Sequence, residues 1–351
     1  MVTVMRKRGL YIIIILMVFS TLTGCSNKNE DDKKTKVTKE EIKIGLSFDS
    51  FVLERWQRDR DVFVSTAQDL GAEVNVQNAN GDVDTQISQI EYLIDKKMDA
   101  IVVIAGDSEA LSEVLKKAKD EGISVIAYDR LVRGANVDLY ISFDSVEVGR
   151  LMAETLVEEV KESGNIITIF GPTTDHNVTL VEQGFNEVIE KADLNVIYSV
   201  NATEWLAEEA FRAVNAALDL ELEIDGVMCG NDNLASEAVR ALSENRLAGK
   251  VVVTGQDADL VACQRIVEGT QSMTVYKPVD DLAKAAAEYV VKLAKGESID
   301  VTETIDEGEY KVPYVKLDIV AVNKDNINEV IIDGGFQREE DVYLNVDKEE
   351  R

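Results

Sequence analysis

The sequence predicts an α/β chain of two Rossmann-like lobes with parallel sheets, and three observations carry that prediction. Short β-branched runs alternate with amphipathic helical stretches from about residue 41 onward, the rhythm that builds parallel sheets with right-handed crossovers. Runs such as Ile101-Val102-Val103-Ile104 are apolar without alternation, as strands covered by helices on both faces must be. About 300 residues remain once the N-terminal segment is set aside, which favours two lobes over a single core.

Strands are expected at 42–48, 73–77, 100–104, 124–128, 140–143, 166–170, 196–200, 226–229, 251–254 and 272–275. Helices are expected between them, at 84–97, 109–121, 146–161, 206–220 and 234–243. In the stretch 109–121, Leu111, Val114, Leu115 and Ala118 fall on one helical face, and Gly122 follows as a stop. With only three prolines in the chain, no rigid linker is marked. The first crossover is expected after Phe143, with an N-terminal lobe of 41–142 plus 278–309 and a C-terminal lobe of 143–277 plus 310–346.

The N-terminus reads as a targeting segment. Arg6, Lys7 and Arg8 precede a nearly unbroken apolar run at 10–19, shorter than the ~20 residues a membrane span needs. Leu22-Thr23-Gly24-Cys25 resembles the bacterial lipobox, so residues 1–24 are expected to be a signal peptide and Cys25 the lipidated first residue. Residues 26–40 hold one apolar side chain, Val37, and form an expected flexible tether over 25–40. The chain would then sit outside the cytoplasmic membrane, anchored to it.

The formal charge of −29 becomes −32 when the three cations Arg6, Lys7 and Arg8 leave with the signal. A surface so acidic argues against nucleic acid, which is bound through clustered cations. Cys229 and Cys263 lie in apolar stretches and are expected as two buried thiols rather than a disulfide. No zinc spacing, nucleophile elbow, P-loop or dinucleotide fingerprint is present, and the one histidine, His176, has no evident nucleophile beside it. Asp257 and Asp259 sit two residues apart on one loop, an arrangement that need not flank a scissile bond. A binding protein without cofactor or metal is expected, not an enzyme.

Polar clusters follow the predicted strands: Asp129-Arg130, Asp175-His176-Asn177, Asn231-Asp232, Gln256-Asp257-Ala258-Asp259 and Lys277-Pro278. Carboxyl ends of parallel strands are where such folds gather ligand. Each pair alone also suits a helix N-cap; five together favour a binding site. Leu53-Glu54-Arg55-Trp56-Gln57-Arg58-Asp59 puts an aromatic and a fixed cation just past the first strand, and Trp205, the second of two tryptophans, lies in the later βα array. Two flat aromatics on opposite lobes, among carboxylates, amides and cations, suit a small polyhydroxylated ring.

These stretches carry a family resemblance, together with Ala79-Asn80-Gly81, Ala127-Tyr128-Asp129-Arg130, Tyr140-Ile141-Ser142-Phe143-Asp144, Gly255-Gln256-Asp257-Ala258-Asp259 and Thr274-Val275-Tyr276-Lys277-Pro278. From about Glu41 to Asp333-Gly334-Gly335-Phe336, the chain resembles the periplasmic sugar-binding proteins of bacterial ABC importers, of the ribose- and galactose-binding type, and within it the D-xylose binders. The resemblance implies a type I periplasmic-binding-protein fold, three crossovers and ligand in the cleft between lobes. It implies contacts from Arg55, Trp56, Asp129 and Arg130 on the first lobe, and from Asn177, Trp205, Asn231 and Asp257 on the second. Lys277 would reach in from a crossover. His176 stands where an amide is expected, and near Glu182 relatives often carry arginine. After capture of D-xylose, two partners are open: an ABC permease, or the extracytoplasmic domain of a membrane sensor histidine kinase. The charged tail 337–351 is expected to be solvated.

Overall fold

The computed structural model describes residues 41–160, 163–221 and 223–347. The signal peptide, the tether and Cys25 lie outside the described residues. In chain order the first elements are β1 (Ile42–Phe48), α1 (Arg55–Asp69), β2 (Ala72–Asn78), α2 (Val83–Asp95), β3 (Ala100–Ile104), α3 (Ser112–Asp120), β4 (Ser124–Tyr128) and β5 (Leu139–Phe143). Then come α4 (Ser145–Glu159), β6 (Asn165–Phe170), α5 (His176–Ile189), β7 (Asn195–Asn201), α6 (Glu208–Asp219), β8 (Gly226–Cys229), α7 (Asp232–Glu244), β9 (Val252–Gln256), α8 (Leu260–Glu268) and β10 (Met273–Tyr276). The chain continues through α9 (Val279–Ala294), β11 (Thr304–Asp306), β12 (Lys311–Leu317), β13 (Val320–Val322) and α10 (Glu339–Val342).

The strands form two sheets, one per lobe. The first runs β11-β12-β5-β4-β3-β1-β2 and the second β13-β10-β9-β8-β6-β7. Each is parallel except at one edge, where β11 pairs antiparallel with β12 in the first sheet and β13 with β10 in the second. Every residue of β3 and β5 is buried, because helices cover both faces of the sheet.

The chain passes between the sheets after β5, after β10, and between Leu317 and Val320. The third passage differs from the expected boundary at 309/310. β12 pairs parallel with β5, with Tyr314 opposite Tyr140, so residues 311–317 belong to the first lobe. No strand is among those expected there; β12 holds Pro313 and is half-exposed along most of its length, the character of a strand near a sheet edge.

Two glycines set the crossing of α4 and α5. A Cβ on Gly149 would lie 1.9 Å from the Val181 carbonyl oxygen, and one on Gly184 would lie 1.8 Å from that of Val146. The helices therefore touch backbone to backbone, which holds the first turn of α5 at the cleft. Cys229 and Cys263 are buried free thiols. The segment past β13 packs Ile327, Ile331, Val342 and Tyr343 against Cys263 and Ile266 of α8.

Candidate functional site

One cavity lies between the carboxyl ends of the two sheets. Its volume, open mouth included, is about 570 Å³. Arg55, Trp56, Asp129, Arg130, Asn177, Trp205, Asn231, Asp257 and Lys277 all line it. These are the nine positions that the family resemblance implied.

Trp56 and Arg55 open α1. Trp56 is 1% exposed, with the Arg55 guanidinium 4.4 Å from its ring centroid and that of Arg130 5.5 Å away. The first indole therefore seats two cations as well as walling the cavity. Trp205, 9% exposed, lies on the second lobe against two glycines. A Cβ on Gly171 would meet its ring at 2.3 Å, and one on Gly230 would come within 3.2 Å. Only glycine lets the indole rest on the ends of β6 and β8. Both indole N–H groups are buried without a hydrogen-bond partner, as is Asn231 Nδ2. Buried donors of this kind mark a site suited to a polar ligand.

Cavity lining and helix capping coincide on the same side chains. Asn231 Oδ1 accepts the Leu234 N–H at the start of α7, at 2.8 Å, while its amide nitrogen stays unpaired in a residue that lines the cavity. Asp175 accepts the Asn177 N–H at 3.0 Å and meets Arg130 Nε across the cleft at 2.9 Å. Asn177 donates to the Asp129 carbonyl at 2.9 Å. Asp129, Trp205 and Asp257 all have positive φ, at 62°, 59° and 104°, a conformation that costs about 1–3 kcal/mol and clusters at functional sites.

The charges form one buried network. Arg55 meets Asp129 at 2.9 Å, Asp59 at 3.1 Å and Asp257 at 3.8 Å. Burial opposes its charge, but Asp129, Asp59 and Asp257 together outweigh that penalty and hold its pKa well above the ordinary value. Burial likewise works against ionised Asp129, and Arg55, Lys277 and Arg130 overcome it, so this carboxylate titrates below its usual range. Asp59 is shifted upward instead, because burial exceeds what Arg55 and the Tyr128 hydroxyl return. Lys277 Nζ lies 2.6 Å from Asp257 Oδ1, without hydrogen-bond alignment, and donates to Gln256 Oε1 at 3.0 Å. Arg130 also donates to Asp49 at 2.7 Å and to the Ala105 carbonyl at 3.0 Å. Pre-arranged acceptors and donors of both signs are what hydroxyl recognition requires.

The profile of the periplasmic binding protein domain matches residues 44–298. The chain belongs to the periplasmic binding protein family. This periplasmic binding protein is 45% identical to a "D-xylose-binding periplasmic protein" of Haemophilus influenzae, over 86% of this chain and 92% of that protein. It is 43% identical to the protein of the same name from Escherichia coli, over 86% and 93%. A crystal structure of an ABC transporter solute-binding protein from Clostridium phytofermentans with bound β-D-glucose superposes with a TM-score of 0.78 at 29% identity, over 86% of this chain and 99% of that one. Family membership makes the chain a binding protein rather than an enzyme.

Sequence reasoning passed over part of the lining of this periplasmic binding protein. Phe143, Phe170, Gly171 and Gly230 line the cavity at strand ends and Val181 lines it from α5; none of them is among the residues expected to contact ligand. A glycine just past an apolar strand, as in Phe170-Gly171 and Cys229-Gly230, was the available signal of close approach. Asp49, Asp59 and Tyr128 are not among the expected contacts, since they meet the site only through Arg130 and Arg55. His176 is half-buried outside the lining, near Arg133 and Glu109, and Glu182 is exposed.

Proposed function

We propose that the protein captures D-xylose in this cavity by closure of its lobes and presents it to a membrane ABC importer. The observation that carries the reading is the pair of indoles, one from each lobe, around a buried cavity lined by carboxylates, amides and cations. Relatives at 43–45% identity that are named for D-xylose support the choice of sugar. Trp205 stacks on one face of the pyranose, and Trp56 closes the other side while seating Arg55 and Arg130. Asp129, Asn177, Asn231, Asp257 and Lys277 hydrogen-bond the hydroxyls, and exclusion of water strengthens those bonds. Lipidation of Cys25 keeps the protein at the outer face of the membrane, beside the permease; Cys25→Ser should release it into the medium.

The test is a thermal-shift panel with xylose, ribose, arabinose, glucose and galactose. Ligand at ~1,000 times its dissociation constant stabilises by about 4 kcal/mol. A large shift with xylose alone supports the pentose site. No shift with any sugar would sink the reading.

A further inference from the structure

We infer that Asp232, which does not line the cavity, is a positioning residue for Asp257: it is the buried node that fixes the turn from which Asp257 reaches ligand. The inference deepens the binding reading above and rests on it for the identity of the ligand. Asp232 is wholly buried at the start of α7. Its carboxylate accepts three hydrogen bonds, from the Gln271 amide at 2.8 Å, the Thr274 hydroxyl at 2.7 Å and the Asp259 N–H at 3.2 Å. The Thr274 hydroxyl in turn accepts the Ala258 N–H at 3.1 Å. Two successive amides of the loop after β9 thus end on Asp232, one directly and one through Thr274.

That loop needs holding. Asp257 and Ala258 have φ of 104° and 55°, an unfavourable conformation for two consecutive residues that carry a Cβ. Asp257 is further tied by its N–H to the Val275 carbonyl at 2.9 Å. Gly255 leaves room for the node, since a Cβ there would lie 2.3 Å from Asp232 Oδ1. Arg265 closes the far side. It donates to the Asp232 carbonyl at 3.2 Å, to Gln271 Oε1 at 2.9 Å and to Ser236 Oγ at 2.7 Å. Burial presses the Asp232 carboxyl upward against the pull of Arg265, to about 7, the cost of placing an acid here. The adjacent Asn231 lines the cavity with its amide nitrogen unpaired, so one dipeptide supplies a cavity side chain and the brace for another.

Thr274→Val removes the hydroxyl at nearly constant volume, and Thr274→Ser keeps it; Asp232→Asn keeps the shape of the node and removes its charge. Two readouts are taken: xylose affinity by calorimetry at a temperature where each variant is folded, and amide exchange at Ala258 and Asp259 without sugar. The expected result is a ten- to hundredfold weaker affinity in Thr274→Val and Asp232→Asn, on the order of a lost buried hydrogen bond. Thr274→Ser stays near wild type. The Ala258 amide should exchange about tenfold faster in Thr274→Val, with exchange elsewhere unchanged. A Thr274→Val protein that melts earlier but binds xylose as wild type does overturns the inference, because the network is then only structural. Unchanged exchange at Ala258 also overturns it. If the wild-type protein binds no sugar, the binding reading falls, and the exchange arm alone decides whether this network holds the turn.

Discussion

Asp257 carries the largest stake of any single cavity residue. It is buried 2.6 Å from Lys277 and 3.8 Å from Arg55, so removing its charge leaves two cations under-compensated. Asp257→Asn should weaken xylose binding by about 2–4 kcal/mol, roughly 30- to 1,000-fold, measured by titration calorimetry. A variant within threefold of wild type would remove Asp257 from the site. Gly171 makes a sharper steric case. Its added Cβ would sit 2.3 Å from the Trp205 ring, and the indole, not the strand, is the part able to move. Gly171→Ala should cost at least about tenfold in affinity with little change in melting temperature. The tryptophan emission of the ligand-free protein should shift with it.

At the scale of elements, α5 depends on its contact with α4 to hold Asp175 and Asn177 at the cleft. Gly184→Ala drives a methyl group into the Val146 carbonyl, 1.8 Å away. It should lower unfolding stability by about 2–4 kcal/mol and weaken sugar binding as well, both readable by denaturant titration with and without xylose. The same helix begins with the only histidine of the chain. Burial, and then nearby Arg133, lower the His176 pKa below its ordinary 6.5, with Glu109 opposing. The unfolded chain therefore takes up this proton first as pH falls, and stability is lost from about pH 6.5 downward toward the folded-state pKa. His176→Gln should flatten that part of the melting-temperature profile between pH 7 and 5. An unchanged profile would place the acid sensitivity elsewhere.

Whole-molecule behaviour turns on contacts that join the lobes. Arg130 pairs with Asp175 at 2.9 Å, the Ser108 N–H donates to the Thr174 carbonyl at 3.0 Å, and Asn177 donates to the Asp129 carbonyl. Each links the first sheet's loops to those of the second, so sugar that bridges the lobes adds to contacts already in place. Asp175→Asn removes one charge of this set while Arg130 keeps Asp49 at 2.7 Å. It should weaken binding about tenfold, mainly through faster sugar release, as stopped-flow tryptophan fluorescence would resolve. Equal release rates would mean that the Arg130–Asp175 pair does not govern opening.

Local pattern was enough for much of this. Unbroken apolar strands such as β3 and amphipathic helices such as α3 are dictated by period and burial, which a short window of sequence contains. The strand-end clusters pointed to the cleft, since a parallel sheet delivers the residues after its strands to one edge, and the family resemblance narrowed them to the nine cavity positions. Other features were decided only when distant segments met. Asp49 lies 81 residues before Arg130, and Asp59 lies 69 before Tyr128; no local period encodes such partners. Nor does it tell whether Asn231 caps a helix or lines the cavity, and folding makes it do both. β12 reads as a weak edge by itself and becomes a strand because β5 offers it an open ladder. The sequence determined which strand ends carry polar residues toward the cleft; the tertiary structure decided which of those residues line it and which are braced, because lining and bracing are properties of contacts and not of order along the chain.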